Sequence, residues 1–194
     1  PQGKPMQKPN ILFIFTDQQT LNAMSACGNP HLHTPHMDAI AARGVLFENS
    51  YCTSPVCCPA RSSLITGMMP HTTGINVNSQ RMREGLPNIG KAFRAAGYET
   101  AWTGKYHVHE PFAVEGVHIP GFEVLPFQIP EGAKTHFGSA TDAPTADQAI
   151  AFLRRKCDKP FFLTVSLQNP HDICAWIMGK LDAIPALDSQ PLPP

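Results

Sequence analysis

The stretch Asn10-Ile11-Leu12-Phe13-Ile14-Phe15-Thr16-Asp17-Gln18 is the part of the sequence that decides the fold. Its five apolar residues, Ile11 to Phe15, follow one another without a polar interruption. A run that is apolar on both faces is typical of a central strand in a parallel sheet covered by helices. Asp17 and Gln18 end the run, and in such sheets ligands bind at the carboxyl ends of the strands. We therefore predict a buried strand that presents these two polar side chains to a site.

Candidate strands and helices alternate along the rest of the chain. The further predicted strands cover 45–47, 100–103 and 161–167, and the predicted helices cover 35–43, 59–66, 86–96 and 146–155. Thr34-Pro35 is a typical helix start, with a capping hydroxyl before a proline at the first helical position. Residues 106–141 are rich in Pro, Gly and His and predict a long surface segment. The alternation predicts an α/β fold, a mainly parallel, doubly wound sheet sandwiched by helices.

The composition argues against several classes of function. Lys and Arg number 15, as do Asp and Glu, so no broad positive surface for nucleic acid is expected. No stretch approaches the ~20 apolar residues that cross a bilayer, so no transmembrane segment is predicted. The six cysteines have no regular spacing and do not predict a disulfide framework. The chain opens on a polar segment, 1–9, which we predict to be flexible and which is not a signal peptide.

The stretch Pro55-Val56-Cys57-Cys58-Pro59-Ala60-Arg61-Ser62-Ser63-Leu64-Ile65-Thr66-Gly67 carries the most chemical information. It predicts a thiol, Cys57, immediately before the N-terminus of a helix, with Arg61 in the first turn. Backbone N–H groups and the helix dipole favour an anion at this end. The guanidinium adds a fork of donors suited to oxyanions. The short pattern Cys-Pro-x-Arg is equally compatible with a buried, inert cysteine.

The longer pattern resembles the nucleophile signature of the type I sulfatases, in the alkaline phosphatase superfamily: Cys57-x-Pro59-x-Arg61, two residues, two apolar residues and Thr66-Gly67. Three more stretches resemble the family's first strand with its metal-binding turn, its second signature, and a later strand ending in Pro-His; they are 8–18, 97–107 and 159–171. Residues 1–194 are therefore identified as the N-terminal part of one sulfatase catalytic domain. The resemblance implies an alkaline-phosphatase-like sheet that is incomplete at its C-terminus.

The resemblance implies a sulfuric-ester hydrolase whose Cys57 is oxidised to formylglycine (3-oxoalanine) by a formylglycine-generating or sulfatase-maturating enzyme. One hydroxyl of the hydrated aldehyde would attack the sulfur of a sulfate ester. Deprotonation of the second hydroxyl would then expel sulfate and restore the aldehyde, which is covalent catalysis with a self-cleaving intermediate. The implied substrate is a sulfated glycan or small molecule such as an aryl sulfate. Export to the periplasm, the extracellular space or the lysosome is also implied.

The resemblance further implies a site for a divalent cation, usually Ca²⁺. Asp17 matches the family's first carboxylate ligand, and the modified Cys57 would also contact the metal. Gln18 stands where many sulfatases have a second Asp, and its amide carbonyl is an acceptable oxygen ligand for Ca²⁺.

Four further residues receive catalytic roles from the resemblance. Arg61 would hold the nucleophile loop. Lys105 and His107 would contact the aldehyde hydroxyls and the sulfate, with His107 assisting regeneration of the aldehyde. His171 would supply a proton to the leaving oxygen.

Two alternatives remain open. A phosphonate monoester or phosphodiester hydrolase of the same superfamily is compatible with Gln18. A catalytically incomplete anion-binding fragment is the second, because no segment after Asp172 matches the family's remaining metal ligands and later lysine. We therefore expect the isolated chain to bind metal weakly and to turn over little or nothing.

The other histidine and cysteine patterns do not favour a metal site. His31, His33 and His36 resemble surface histidines of an ordinary helix region. Adjacent Cys57 and Cys58 lack the Cys-x₂₋₄-Cys spacing of common structural zinc sites.

Overall fold

The computed structural model describes residues 8–110, 118–126 and 137–177, with the side chains of residues 175 and 176 excepted. Four parallel strands form one sheet in the order β1-β4-β2-β3. The strands are β1 (Ile11–Asp17), β2 (Glu99–Gly104), β3 (Glu123–Val124) and β4 (Phe161–Pro170). The prediction of an α/β fold with a mainly parallel sheet is confirmed.

Six α-helices accompany the sheet within the described ranges. They are α1 (Pro35–Arg43), α2 (Cys57–Thr66), α3 (Pro70–Thr73), α4 (Ile89–Ala95), α5 (Gly138–Leu153) and α6 (Ile173–Ile177). The predicted start of α1 at Pro35 is confirmed, although the Thr34 side chain makes no capping hydrogen bond. The N-cap of α4 is Asn88, whose side chain accepts from Lys91 N–H at 3.0 Å. The predicted flexible segment 1–9 lies largely outside the described residues.

Two sequence predictions about strands differ from what the described residues show. Residues 45–47 form no strand; Val45 and Phe47 are each 75% exposed, so their apolar character does not reflect burial here. The first strand, β1, lies at one edge of the described sheet, because it pairs there with β4 alone. In this part of the protein Leu12 is 44% and Ile14 51% exposed. The interior positions of the described sheet belong to β4, between β1 and β2, and to β2, between β4 and β3.

The two faces of the sheet pack against different layers, as the period of two along a strand requires. Trp102 and Phe162 lie in one core cluster, which includes Cys58 from α2. Their chain neighbours Ala101 and Leu163 lie in a second cluster, which includes Phe152 of α5. The structure therefore confirms a sheet sandwiched by helices, and it fixes α2 on the face opposite α5.

Gly104 allows β2 to turn tightly against β4, so its replacement should be costly. Its φ is +86°, and a Cβ built there would lie 2.0 Å from the backbone oxygen of Ser166. We expect Gly104→Ala to lower the free energy of unfolding by roughly 3 kcal/mol or more, since left-handed strain adds to overpacking against backbone. Urea denaturation measures the loss. Gly28→Ala is the matched control, because Gly28 has φ +87° but nothing within 4 Å of its Cβ position.

The control should lose only about 1–2 kcal/mol, the cost of the left-handed conformation alone. Equal losses in the two variants would contradict the close approach of β2 and β4.

Candidate active site

The chemically active side chains meet at the carboxyl end of the sheet. Asp17 is the last residue of β1, Lys105 directly follows β2, and His171 directly follows β4. Because these three strands are parallel neighbours, their ends lie side by side. Cys57 reaches the same place as the first residue of α2. A cavity of about 720 Å³ opens here, lined by Asp17, Cys57 and residues of the 51–56 loop among others.

Asp17 is the electrostatic centre of the group. Its Oδ2 accepts a hydrogen bond from Lys105 Nζ at 2.5 Å and forms an ion pair with Arg61 Nη2 at 3.3 Å. Burial by itself would raise the pKa of Asp17, but the Lys105 hydrogen bond and the charges of Arg61, Lys105 and His171 outweigh it. The net result is a pKa below the ordinary value, so Asp17 is a carboxylate at neutral pH.

Cys57 lies against this carboxylate and is protonated. Its Sγ is 3.7 Å from both carboxylate oxygens of Asp17 and 3.9 Å from Lys105 Nζ. Burial raises the pKa of Cys57, and the Asp17 charge raises it further, against the opposing effects of Lys105 and Arg61. Since the thiolate is the reactive form of cysteine, unmodified Cys57 is a weak nucleophile.

Arg61 connects the N-terminal turns of α2 to all three strand ends. It is 5% exposed, and its Nη1 donates to the backbone oxygen of Lys105 at 2.7 Å and to Ser166 Oγ at 2.9 Å. Its guanidinium also lies over the ring of Phe15, 5.1 Å from the centroid. These contacts, with the ion pair to Asp17, hold α2 and therefore Cys57 in register with the sheet.

The carboxylates of buried Asp172 and half-buried Asp142 position the end of β4, and the sequence assigns neither of them this role. Asp172 accepts from the N–H groups of Gly138 and Ser139 at 3.0 Å each, at the N-terminus of α5. Asp142 of α5 accepts in turn from Gln168 N–H at 2.6 Å and Asn169 N–H at 2.9 Å. The turn that carries His171 is therefore joined to α5 by hydrogen bonds from α5 to Asp172 and from β4 to Asp142. An acidic residue beside the Pro-His was the only sequence signal.

Removing the Asp172 carboxylate should loosen this turn. We expect Asp172→Ala to lower the free energy of unfolding by roughly 1.5–3 kcal/mol, because two N–H groups lose a charged acceptor. Thermal and urea denaturation measure the change. Asp147→Ala, at an exposed position of the same helix, is the control and should change stability by less than about 0.5 kcal/mol. A loss in Asp172→Ala no larger than in the control would contradict a positioning role.

Gln18 and His107 occupy less direct positions. Gln18 has φ +65°, and its Oε1 accepts from Cys174 Sγ at 3.1 Å. His107 has φ +53° and lies beside Cys58 and His109, with the two imidazole centroids 6.0 Å apart. The structure therefore groups Asp17, Cys57, Arg61 and Lys105 by direct contact, with His171 near enough to influence Asp17.

The donor set at the end of β1 fits part of a hard-cation site. Asp17 offers a carboxylate and Gln18 an amide carbonyl, which are the oxygen ligands that Ca²⁺ takes. Ca²⁺ needs 6–8 oxygens, so these two residues supply only a part of its coordination. The thiol of Cys57 is a soft ligand and does not belong to such a set unless it is oxidised to an oxygen-bearing group.

Comparison with known families accounts for this arrangement. The sequence model of the family named Sulfatase matches residues 9–180. The chain belongs to the sulfatase family. Sulfatases generally use a metal ion and a formylglycine. The fold predicted from that resemblance is confirmed as well, since the solved structures that match have the alkaline-phosphatase-like sheet.

Several sulfatase-family proteins resemble this chain closely. The Δ4,5-hexuronate-2-O-sulfatase of Bacteroides thetaiotaomicron is 35% identical over 180 residues, covering 90% of this chain and 37% of the relative. A solved 2-O GAG sulfatase superposes with a TM-score of 0.76 at 32% identity, covering 89% of this chain and 37% of that one. The phosphonate monoester hydrolase of Agrobacterium radiobacter gives a TM-score of 0.68 at 25% identity, covering 84% and 41%.

This sulfatase chain therefore spans well under half the length of the relatives it matches. Among the helices of the described ranges, none combines the length and the apolar character that a membrane crossing requires.

Proposed function

We propose that the protein containing this chain hydrolyses sulfuric esters and releases inorganic sulfate, with Cys57 converted to formylglycine as the nucleophile. The observation that carries the proposal is the contact of Cys57 with Asp17, whose carboxylate is paired with both Arg61 and Lys105. A protonated thiol in such a place is a weak nucleophile by itself, which favours chemical conversion over direct thiolate attack. We propose in addition that residues 1–194 are the N-terminal part of one catalytic domain.

The divalent cation would be held by Asp17, Gln18 and the oxidised Cys57, together with further oxygen ligands. A bound Ca²⁺, or a related cation, supplies positive charge that polarises sulfate oxygens and orients the nucleophile. Asp17 is already ionised for that role, because Lys105 and Arg61 keep its pKa low against the effect of burial. Gln18 contributes a neutral carbonyl, which lowers the ligand charge compared with a second carboxylate.

The remaining site residues bind and orient the anionic group. Lys105 Nζ lies 3.9 Å from Cys57 Sγ and can donate to a sulfate oxygen or to a hydroxyl at that position. Arg61 fixes the turn that carries Cys57, through its bonds to Lys105 O and Ser166 Oγ. His107 would accept the proton that is removed during regeneration of the aldehyde, and His171 would donate a proton to the leaving alcohol oxygen.

We propose a sulfated carbohydrate as the substrate, with an aryl sulfate as a small-molecule surrogate. Two similar proteins are named for such substrates, a Δ4,5-hexuronate-2-O-sulfatase and a 2-O GAG sulfatase. The proposal requires a formylglycine-generating or sulfatase-maturating enzyme as a partner. Export to the periplasm, the extracellular space or the lysosome is proposed with it.

The proposal is tested on the full-length protein, co-expressed with a maturating enzyme. We expect Ca²⁺-dependent sulfate release from a sulfated uronate or an aryl sulfate, abolished by a chelator and restored by added Ca²⁺. Peptide mass spectrometry should show Cys57 as formylglycine. Unmodified Cys57 together with no sulfate release from any sulfated ester would refute the proposal.

A phosphonate monoester hydrolase is the second candidate. Gln18 in place of a second carboxylate and the likeness to the Agrobacterium radiobacter enzyme favour it. Comparing kcat/KM for matched aryl sulfate and aryl phosphonate esters decides between them; a higher value for the sulfate supports our first proposal, and a higher value for the phosphonate supports the second.

A further inference from the structure

We propose that Cys58, His107 and His109 form a binding site for a borderline-soft divalent cation of the Zn²⁺ class, separate from the hard-cation site at Asp17. One potential ligand atom from each of the three residues lies within 4.8 Å of the other two. The site joins the first turn of α2 to the loop that follows β2. No spacing in the sequence indicates it, because the thiol and the imidazoles are about fifty positions apart and the histidines alternate with Val108.

Cys58 is the rigid member of the group. Its side chain is fully buried, and its backbone N–H donates to Asn78 Oδ1 at 3.0 Å. The backbone N–H of Ser79 also hydrogen-bonds to the sulfur and helps to fix its position. The sulfur therefore has a defined position towards which the two imidazoles can close.

The two histidines lie on the side of the site from which a cation can enter, and the His109 side chain can rotate to bind it. His109 is exposed, and its backbone oxygen is held by Met82 N–H at 2.8 Å, so its side chain can rotate without moving the loop. His107 is half-buried, and its Nδ1 is enclosed by protein. The rings meet edge to face at 75°. A cation would thus enter from the His109 side and stop at the sulfur of Cys58.

The ligand chemistry selects the cation. One thiolate and two imidazoles suit Zn²⁺ and related ions, whereas Ca²⁺ takes oxygen ligands. Tetrahedral Zn²⁺ with ordinary bond lengths places its ligand atoms roughly 3.3–3.7 Å apart, so a pair standing at the 4.8 Å limit would have to approach by roughly 1–1.5 Å. The Cys58 proton leaves to solvent when the sulfur binds the metal. The fourth position stays open to water, because the group provides three ligands.

Occupation of this site would remove His107 from the reaction. A metal-bound imidazole nitrogen has no lone pair with which to accept a proton, so Zn²⁺ should inhibit sulfate release. This consequence rests on the role proposed above for His107, whereas the binding of the metal does not.

Binding is tested with Co²⁺ and Zn²⁺ on the full-length protein carrying Cys57→Ala, which removes the neighbouring thiol. We expect a near-ultraviolet sulfur-to-cobalt charge-transfer band that Zn²⁺ abolishes by displacement. Replacing His109 with alanine should weaken Zn²⁺ affinity, measured by calorimetry, at least roughly 10-fold, since loss of a ligand should cost no less than loss of its supporting contacts. Cys58→Ala should remove the band.

Cys52→Ala is the matched control, because Cys52 is an exposed thiol outside the group, and it should leave the band and the affinity unchanged. No band, or a band that survives in Cys58→Ala, overturns the proposal. Unchanged Zn²⁺ affinity in His109→Ala overturns it as well, and His109, being exposed, should not impair folding when replaced.

Inhibition is measured separately in protein with formylglycine at position 57. The Zn²⁺ concentration that halves each variant's own zinc-free rate should rise at least roughly 10-fold in His109→Ala. If the inhibitory Zn²⁺ concentration did not change, the proposal that Zn²⁺ inhibits by binding His107 at this site would be wrong. Absence of all sulfatase activity would refute the proposed function, and the cobalt spectrum would still decide whether the metal site exists.

Discussion

Replacing Cys57 with alanine should lower sulfate release by the full-length protein roughly 10⁴-fold or more, because covalent catalysis loses its nucleophile. The side chain stands at the first position of α2, against Asp17 and Lys105, and the other contacts of the site do not depend on it. Thermal stability should therefore change little. Steady-state kinetics with an aryl sulfate, together with a melting curve, measure both.

Cys57→Ser makes the test sharper. A serine hydroxyl in this place can attack the sulfur and expel the alcohol, but it has no second hydroxyl through which sulfate could leave. We expect at most one alcohol released per active site, followed by arrest. Stopped-flow detection of the phenolate, with mass spectrometry of the peptide, shows the burst and the retained sulfate.

The control for both variants is Cys157→Ala, which removes a half-buried thiol just before β4, at the amino end of the sheet and away from the cavity. It should keep turnover within about twofold of the parent. Sustained turnover by Cys57→Ala, or repeated turnover by Cys57→Ser, would contradict the assignment of Cys57 as the nucleophile.

Arg61→Ala should unfold the site as well as inactivate it. Removing a buried guanidinium leaves Asp17 with one cationic partner and deprives Lys105 O and Ser166 Oγ of their donor. We expect the free energy of unfolding to fall by about 3–5 kcal/mol, the usual cost of breaking a buried ion pair from one side. Sulfate release should also fall at least roughly 100-fold, because the turn that carries Cys57 loses its anchor.

Arg61→Lys separates charge from geometry. Lysine keeps the positive charge beside Asp17, but its single ammonium cannot reach several acceptors through a planar fork. We expect a loss of about 1–3 kcal/mol in the free energy of unfolding, intermediate between the parent and Arg61→Ala. Urea denaturation gives the stabilities, and kcat and KM give the effect on the site.

Arg155→Ala is the control for Arg61. Arg155 pairs with Glu123 at 2.9 Å, but both side chains are more than 40% exposed. Such a surface pair contributes about 1 kcal/mol or less. If Arg61→Ala cost no more than Arg155→Ala, the buried network around Asp17 would not hold the site together.

The sequence predicted the location of the site better than the order of the strands. Asp17, Lys105 and His171 each follow a predicted strand, and parallel strands bring such positions to one edge whatever their order. The order itself depends on which strand pairs on both sides. The run at Ile11 to Phe15 predicts a central strand, yet in the described sheet β4 and β2 are the interior strands and β1 lies at the edge. Apolar residues report the tendency of a strand to be buried, but they do not identify its neighbours.

Some positioning groups left no readable pattern. Asp142 lies inside α5 and Asp172 beside a Pro-His, and nothing in their spacing shows that each accepts backbone N–H groups from the other's segment. Cys58 lies inside the nucleophile motif, and its spacing from Cys57 does not match that of common structural zinc sites. Its approach to His107 and His109 depends on how α2 packs over the loop after β2.

What the sequence determined by itself was the α/β class, the nucleophile motif at Cys57 and the family to which the chain belongs. Those features are local, because a strand, a helix start and a signature are each written in a few consecutive residues. Only the tertiary structure decided the place of β1 at the edge of the described sheet, the burial of Arg61 among three strand ends, the raised pKa of Cys57 beside Asp17, and the Cys58–His107–His109 group. Each of these depends on distances between segments far apart in the chain, which only the packing of helices on the sheet determines.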